Sequence, residues 1–148
     1  MSASVSNKVN LSLLHPSTRN KVSRLMDLCR DRDDLPLLIT AGFRSREEQD
    51  ALYSLGRTEP GKIVTKAKGS EYASPHQWAI AVDFCSAKDG YNNEAFFMTV
   101  AELAESVGFE AGARWVNFRD LPHLQDADFK VADLKKQYGT LEKFLATW

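Results

Sequence analysis

The chain holds three histidines, and two of them stand beside acids and turn-forming residues: Ser74-Pro75-His76 followed by Asp83, and Asp120-Leu121-Pro122-His123. Two imidazoles and one carboxylate around an open fourth position form a common catalytic zinc shell. A second acid close by that does not bind the ion can take a proton from an attacking water. Non-haem iron oxygenases use the same pair of histidines with one carboxylate, so the residue types alone leave both chemistries open. An isolated histidine is more often structural than a ligand, and His15, beside Pro16 at a helix start, is read as structural.

Geometry decides whether these residues can meet. On a straight strand His76 and Asp83 have opposite parity and face opposite sides, so a shared ion requires a bend between them. Pro75 holds Ser74 extended. Residues Gln77 to Ala79 precede a clean alternation of Ile80, Val82 and Phe84 with Ala79, Ala81 and Asp83, which places the bend there. Ala79 and Ala81, on the Asp83 face, would leave room for an ion and a substrate. In the second cluster Pro122 favours an extended or polyproline path at Leu121. Three residues per turn then project Asp120 and His123 to the same side.

The elements that must position these groups follow from spacing. Pro16 opens a helix carried by Val22, Leu25, Met26 and Cys29 to about Arg32. Leu37 to Phe43, after Pro36, reads as a buried strand. Ser45 and Glu48 form a capping box for a helix that runs to about Leu55 and stops at Gly56. Arg44 therefore sits where a strand hands over to a helix, at the rim of a sheet. Residues 56 to 73 form a long loop of the kind that often shapes binding sites. A half-buried strand over Ile80 to Phe84 precedes a helix from Glu94 to Val107, ended by Gly108. Arg114 to Phe118 and His123 to Asp126 read as two short strands. Val131, Leu134 and Tyr138 give a last helix, extended through Leu141, Phe144 and Leu145. Helices and strands mix without regular alternation, so the class is α+β.

Composition narrows the function. The 148 residues are 43% hydrophobic and 26% charged, ordinary for a globular protein, and suggest one domain over 1–148 with a polar segment 1–13 and a helical segment 127–148. The 19 basic and 20 acidic residues nearly cancel, which argues against nucleic acid as a main partner. No apolar run approaches the roughly 20 residues that span a bilayer. Met1 to Leu11 shows no secretory pattern, so the expectation is a protein made in the cytoplasm and acting after release; a monomer is expected as well. Cys29 and Cys85 form no CxxC pair and read as reduced structural thiols.

Three ordered segments carry a family resemblance: GFRSREEQDALYSLGRTEPGKIVTKAK at 42–68, SPHQWAIAVDF at 74–84 and WVNFRDLPHLQ at 115–125. Together they resemble the zinc D,D- and L,D-peptidases of peptidase family M15, nearest to the L-alanyl-D-glutamate endopeptidase branch that includes bacteriophage endolysins. The resemblance starts at the Leu14-His15-Pro16 helix and extends to about residue 126. It implies a Hedgehog/D,D-peptidase-like fold, a small mixed or antiparallel sheet with flanking helices. It implies one Zn2+ per chain held by His76, Asp83 and His123, and Asp120 as general base. Arg44 matches the arginine that holds a substrate carboxylate or the oxyanion. Gln49 and Ser74 match polar residues lining the cleft, and Trp115 an aromatic position near the base. The substrate implied is bacterial peptidoglycan, and the outcome endolysin-like wall lysis. A D-alanyl-D-alanine dipeptidase or carboxypeptidase and a non-catalytic wall-binding module are the alternatives. One departure stands out: Ala79 replaces the usual glycine of S-x-H-x-x-G-x-A-x-D. If that position needs a positive φ, alanine costs about 1 kcal/mol.

Overall fold

The structure is a computed structural model, and it describes residues 4–5 and 9–148. Five strands, β1 (Ser4–Val5), β2 (Leu37–Ala41), β3 (Ala81–Ser86), β4 (Phe109–Ala111) and β5 (His123–Asp126), form one sheet in the order β1-β2-β3-β5-β4. Among the described residues only the β1–β2 strand pair is parallel, so the sheet is mixed and mostly antiparallel, as expected for the α+β class. The helices are α1 (Pro16–Cys29), α2 (Arg46–Ser54), α3 (Glu94–Ser106), α4 (Val131–Gln137) and α5 (Leu141–Leu145). The segment expected to be merely polar before residue 14 contributes β1 and a 3-10 turn at Leu11–Leu13, while residues 1–3 and 6–8 lie outside the described residues.

The main core lies between the sheet and helices α1 and α3. Val22, Leu25 and Cys29 of α1 meet Phe97, Val100 and Ala104 of α3, over Ile39, Val82 and Phe84 of the sheet. Both faces of β3 are covered, so it is more buried than a half-buried strand. A second cluster joins Trp78 and Ile80 to Leu134 and Phe144 of the C-terminal helices. His15 caps α1 by accepting from the Ser17 N–H at 3.1 Å, and its ring stacks on Phe144 at 5.2 Å between centroids. It is a packing residue, as its place at a helix start suggests. Lys21 of α1 pairs with the fully buried Asp126 at the end of β5, which also accepts from Ser17 and Thr18. This network fastens α1 to the strand that begins with His123.

Two expected elements differ. Arg114 to Phe118 is no strand: β4 ends at Ala111, a 3-10 turn covers Gly112–Arg114, and an irregular segment leads to β5. The N–H groups of Trp115 and Asp120 both converge on the Gly112 carbonyl at 3.1 Å, which folds the segment into a loop. Phe118 has φ +56, incompatible with a strand, and Val116 is 96% exposed. The C-terminal helix is divided at Gly139, whose φ of +77 ends α4 before α5 begins. Among the described residues no helix is long and apolar enough to cross a membrane.

Candidate metal centre and active site

Asp83 of β3 and His123 of β5 are direct cross-strand partners, so pairing alone places them on one sheet face. His76 arrives from a 3-10 turn, Pro75–Trp78, which supplies the bend that parity required. Ser74 caps this turn, accepting from the His76 N–H at 3.2 Å, and Gln77 returns to the Ser74 N–H at 3.3 Å. Ala79 closes it with φ +60 and ψ 32, the left-handed conformation, and so is not part of the strand face with Ala81. The His15 N–H ties the Ala79 carbonyl at 2.8 Å, and the Arg44 N–H ties the His76 carbonyl at 3.1 Å.

His76 Nε2 and His123 Nδ1 each lie 3.3 Å from the same Asp83 oxygen. One ligand atom from each of the three residues falls within 4.8 Å of the others. A tetrahedral zinc site with bonds of ~2.0–2.1 Å has ligand–ligand edges of about 3.3 Å, so the spacing suits that ion. The far ring nitrogens are engaged as well: His76 Nδ1 donates to the Gly42 carbonyl at 2.9 Å, and His123 Nε2 to Gln125 Oε1 at 2.8 Å. These bonds orient both rings so that their remaining nitrogens point at Asp83. Burial opposes the Asp83 charge, yet its hydrogen bonds to both imidazoles hold the carboxyl well below the usual range. For His123, burial favours the neutral ring and Asp83 outweighs it, raising its pKa.

These groups open onto a cleft of about 410 Å³ whose walls include Arg44, Ser74, Trp115 and Asp120. Asp120 reaches it by a turn closed between the Asp120 carbonyl and the His123 N–H at 3.2 Å. The route is a tight turn, not a polyproline path, because the pinned Asp120 N–H leaves no length for an extended one. Burial, reinforced by Asp83, pushes the Asp120 carboxyl above its ordinary pKa, against the pull of His123, His76 and Arg44. Trp115 lies on the wall with its ring 5.3 Å from that of His123, and its Nε1 donates to Glu110 at 3.1 Å.

Arg44 projects from the strand-to-helix junction, with one guanidinium nitrogen 3.8 Å from Asp83 and another donating to Gln49 Oε1 at 2.9 Å. Gln49 itself is fully buried and does not line the cleft. Placed on the inner face of α2, it also donates to the Ala67 carbonyl at 2.8 Å and joins Arg44 to the long loop. Its position is that of a support for Arg44, a correction to the cleft-lining expectation. Two residues escaped the sequence reading. Gln125 lies two places beyond His123, on the same strand face, and that period of two was a usable signal. Gly112 had none: a Cβ there would stand 2.4 Å from the Asp120 carbonyl oxygen, a closeness visible only in the fold.

Comparisons with known proteins bear on the family and the fold. A family profile described as D-alanyl-D-alanine carboxypeptidase, of the M15 peptidases, matches residues 67–126, the stretch from the loop end to Asp126. The peptidoglycan L-alanyl-D-glutamate endopeptidase CwlK of Bacillus subtilis (strain 168) is 38% identical over 124 residues, covering 76% of this chain and 72% of its own length. Among solved structures, the Serratia marcescens L-Ala D-Glu endopeptidase ChiX aligns with a TM-score of 0.59 at 19% identity, over 79% of this chain and 83% of that one. The vancomycin-resistance D,D-pentapeptidase VanY, solved as an E175A mutant with Zn(II), gives 0.55 at 15% identity over 89% and 83%. At such identities the structures show a common fold, while the sequence relationship to CwlK carries the kinship. The chain belongs to the M15 family of peptidases.

Proposed function

We propose that this protein is a zinc-dependent peptidoglycan endopeptidase that hydrolyses the L-alanyl-D-glutamate bond of the stem peptide. The observation that carries the reading is the cluster of His76, Asp83 and His123 with Asp120 beside it, in a chain 38% identical to CwlK. His76 through Nε2, His123 through Nδ1 and Asp83 through its carboxylate would hold one ion. When bound, zinc supplies Lewis acidity to the attacking water and the scissile carbonyl. Asp120, its carboxyl raised by burial, accepts the proton of that water and returns it to the leaving amine. Arg44, held by Gln49, stabilises negative charge developing on the carbonyl oxygen. Ser74 and Trp115 form walls against which the peptide lies. The substrate is outside the membrane, so the protein acts after leaving the cytoplasm.

Mass analysis of fragments released from purified peptidoglycan tests this. Peptides with a new amino-terminal D-glutamate are expected, together with glycan-linked L-alanine. Release of D-alanine or of its dipeptide would favour the carboxypeptidase or dipeptidase reading, which the description of the matching family profile keeps in view. No release by zinc-loaded protein would overturn both.

A further inference from the structure

Past Asp120 the cleft opens into a second hollow of about 600 Å³, and Val64, Thr65, Trp115 and Asp120 line both spaces. We propose that this hollow is a second substrate subsite, in which Lys66 binds a carboxylate of the peptide against an apolar wall made by Ile63, Val64 and Phe118. The inference rests on the peptidase reading above and extends it to substrate recognition.

Three independent features support it. Ile63, Val64 and Phe118 are 59%, 61% and 75% exposed. Single exposed apolar side chains are ordinary, but three gathered around a hollow that continues a catalytic cleft mark a contact surface. Phe118 also keeps φ +56, a conformation that bulky residues rarely adopt and that concentrates at functional sites. The Lys66 ammonium lies 3.4 Å from the centroid of the Phe118 ring, which orients it while leaving its charge uncompensated. Among the described residues no carboxylate pairs with Lys66. The neighbouring cation, Arg119, is by contrast already engaged by Glu94 at 3.2 Å and by the Ala113 carbonyl at 3.2 Å. An unpaired ammonium on an apolar wall suits a carboxylate-bearing peptide better than a neutral sugar. Stem peptides offer such a group on their acidic residue and at their C-terminus.

The test uses zinc-loaded protein and a synthetic stem peptide in three forms: unmodified, amidated at the free carboxylate of the acidic residue, and amidated at the C-terminus. Lys66→Met should raise KM about five- to tenfold, with the loss lying mainly in KM. One of the two amides should reproduce that loss in the wild type and abolish any further effect of Lys66→Met, which identifies the carboxylate. Phe118→Ala should raise KM in the same direction. Wild-type KM in both variants, or a Lys66→Met defect of equal size on all three peptides, overturns the proposal. So would a Phe118→Ala variant that only dissociates a dimer, since the hollow would then belong to a second copy. Failure of the peptidase reading looks different, because wild-type protein then cuts none of the peptides. In that case calorimetric binding of the same peptides reads Lys66 directly, and an unchanged Kd in Lys66→Met overturns the subsite.

Discussion

Gly112→Ala is the most searching perturbation of the site, because it adds one methyl group and touches no proposed chemical residue. The new Cβ would stand 2.4 Å from the Asp120 carbonyl oxygen and 3.1 Å from the Cβ atoms of Asp120 and His123. Comfortable contact needs about 3.5 Å, so the turn carrying both residues must retreat by ~1 Å. The Gly112 carbonyl also holds the Asp120 N–H, and the Asp120 carbonyl holds the His123 N–H, so the displacement passes through both. Overpacking of this kind costs about 1–3 kcal/mol, equivalent to ~2–12 °C in Tm for a chain of this size. A shift of ~1 Å in reacting groups can lower turnover about 100-fold. Differential scanning calorimetry, zinc titration and peptide hydrolysis on the same preparation give the three readings. Unchanged turnover and Tm would refute the argument that close approach at Gly112 sets the position of Asp120.

Asp120→Asn should retain metal and fold while losing at least ~100-fold in turnover, whereas Asp83→Asn should weaken zinc binding itself, measured by metal analysis after dialysis. Gln125→Leu should lower zinc affinity about 10- to 100-fold by freeing the His123 ring, read by competition with a chelating dye. Arg44→Ala should depress kcat at similar KM if the guanidinium meets the oxyanion; a defect confined to KM would instead show that it clamps a substrate carboxylate. Burial works against the Asp126 charge, but its bonds to Lys21 and to Thr18 and Ser17 hold its folded pKa below the unfolded value near ~3.9. The stability it contributes is therefore complete above that unfolded value and is lost as pH falls through the folded one. Urea unfolding between pH 2 and 6 should show this slope, and Asp126→Asn should flatten it while destabilising the neutral protein by ~1–3 kcal/mol, because Lys21 keeps only its pair with the exposed Asp128.

How far the sequence spoke depended on how local each interaction was. The α2 capping box, the Gly108 stop after α3 and the burial of Val22, Leu25 and Cys29 all rest on neighbours a few residues apart, and all appear where the pattern put them. The bend between His76 and Asp83 was legible as a parity conflict, and the left-handed Ala79 explains how the chain resolves it. The strand expected at Arg114 to Phe118 did not form, because nothing in the local sequence reveals two N–H groups converging on Gly112. Gln49 was misplaced for a similar reason: a polar side chain can serve a site from beneath, and only depth distinguishes the two.

The pairing of Asp83 with His123 in one cross-strand register has a consequence for quality control of the chain. A slip of one residue between β3 and β5 would turn His123 and Gln125 into the core and bring the fully buried Leu124 out of it, so the apolar packing that enforces this register also builds the metal site. A chain caught in that register would keep neither its core nor its ion. Heterogeneity of folding would therefore surface as fractional metal stoichiometry with normal turnover per bound ion, and counting ions would double as a census of correctly registered molecules.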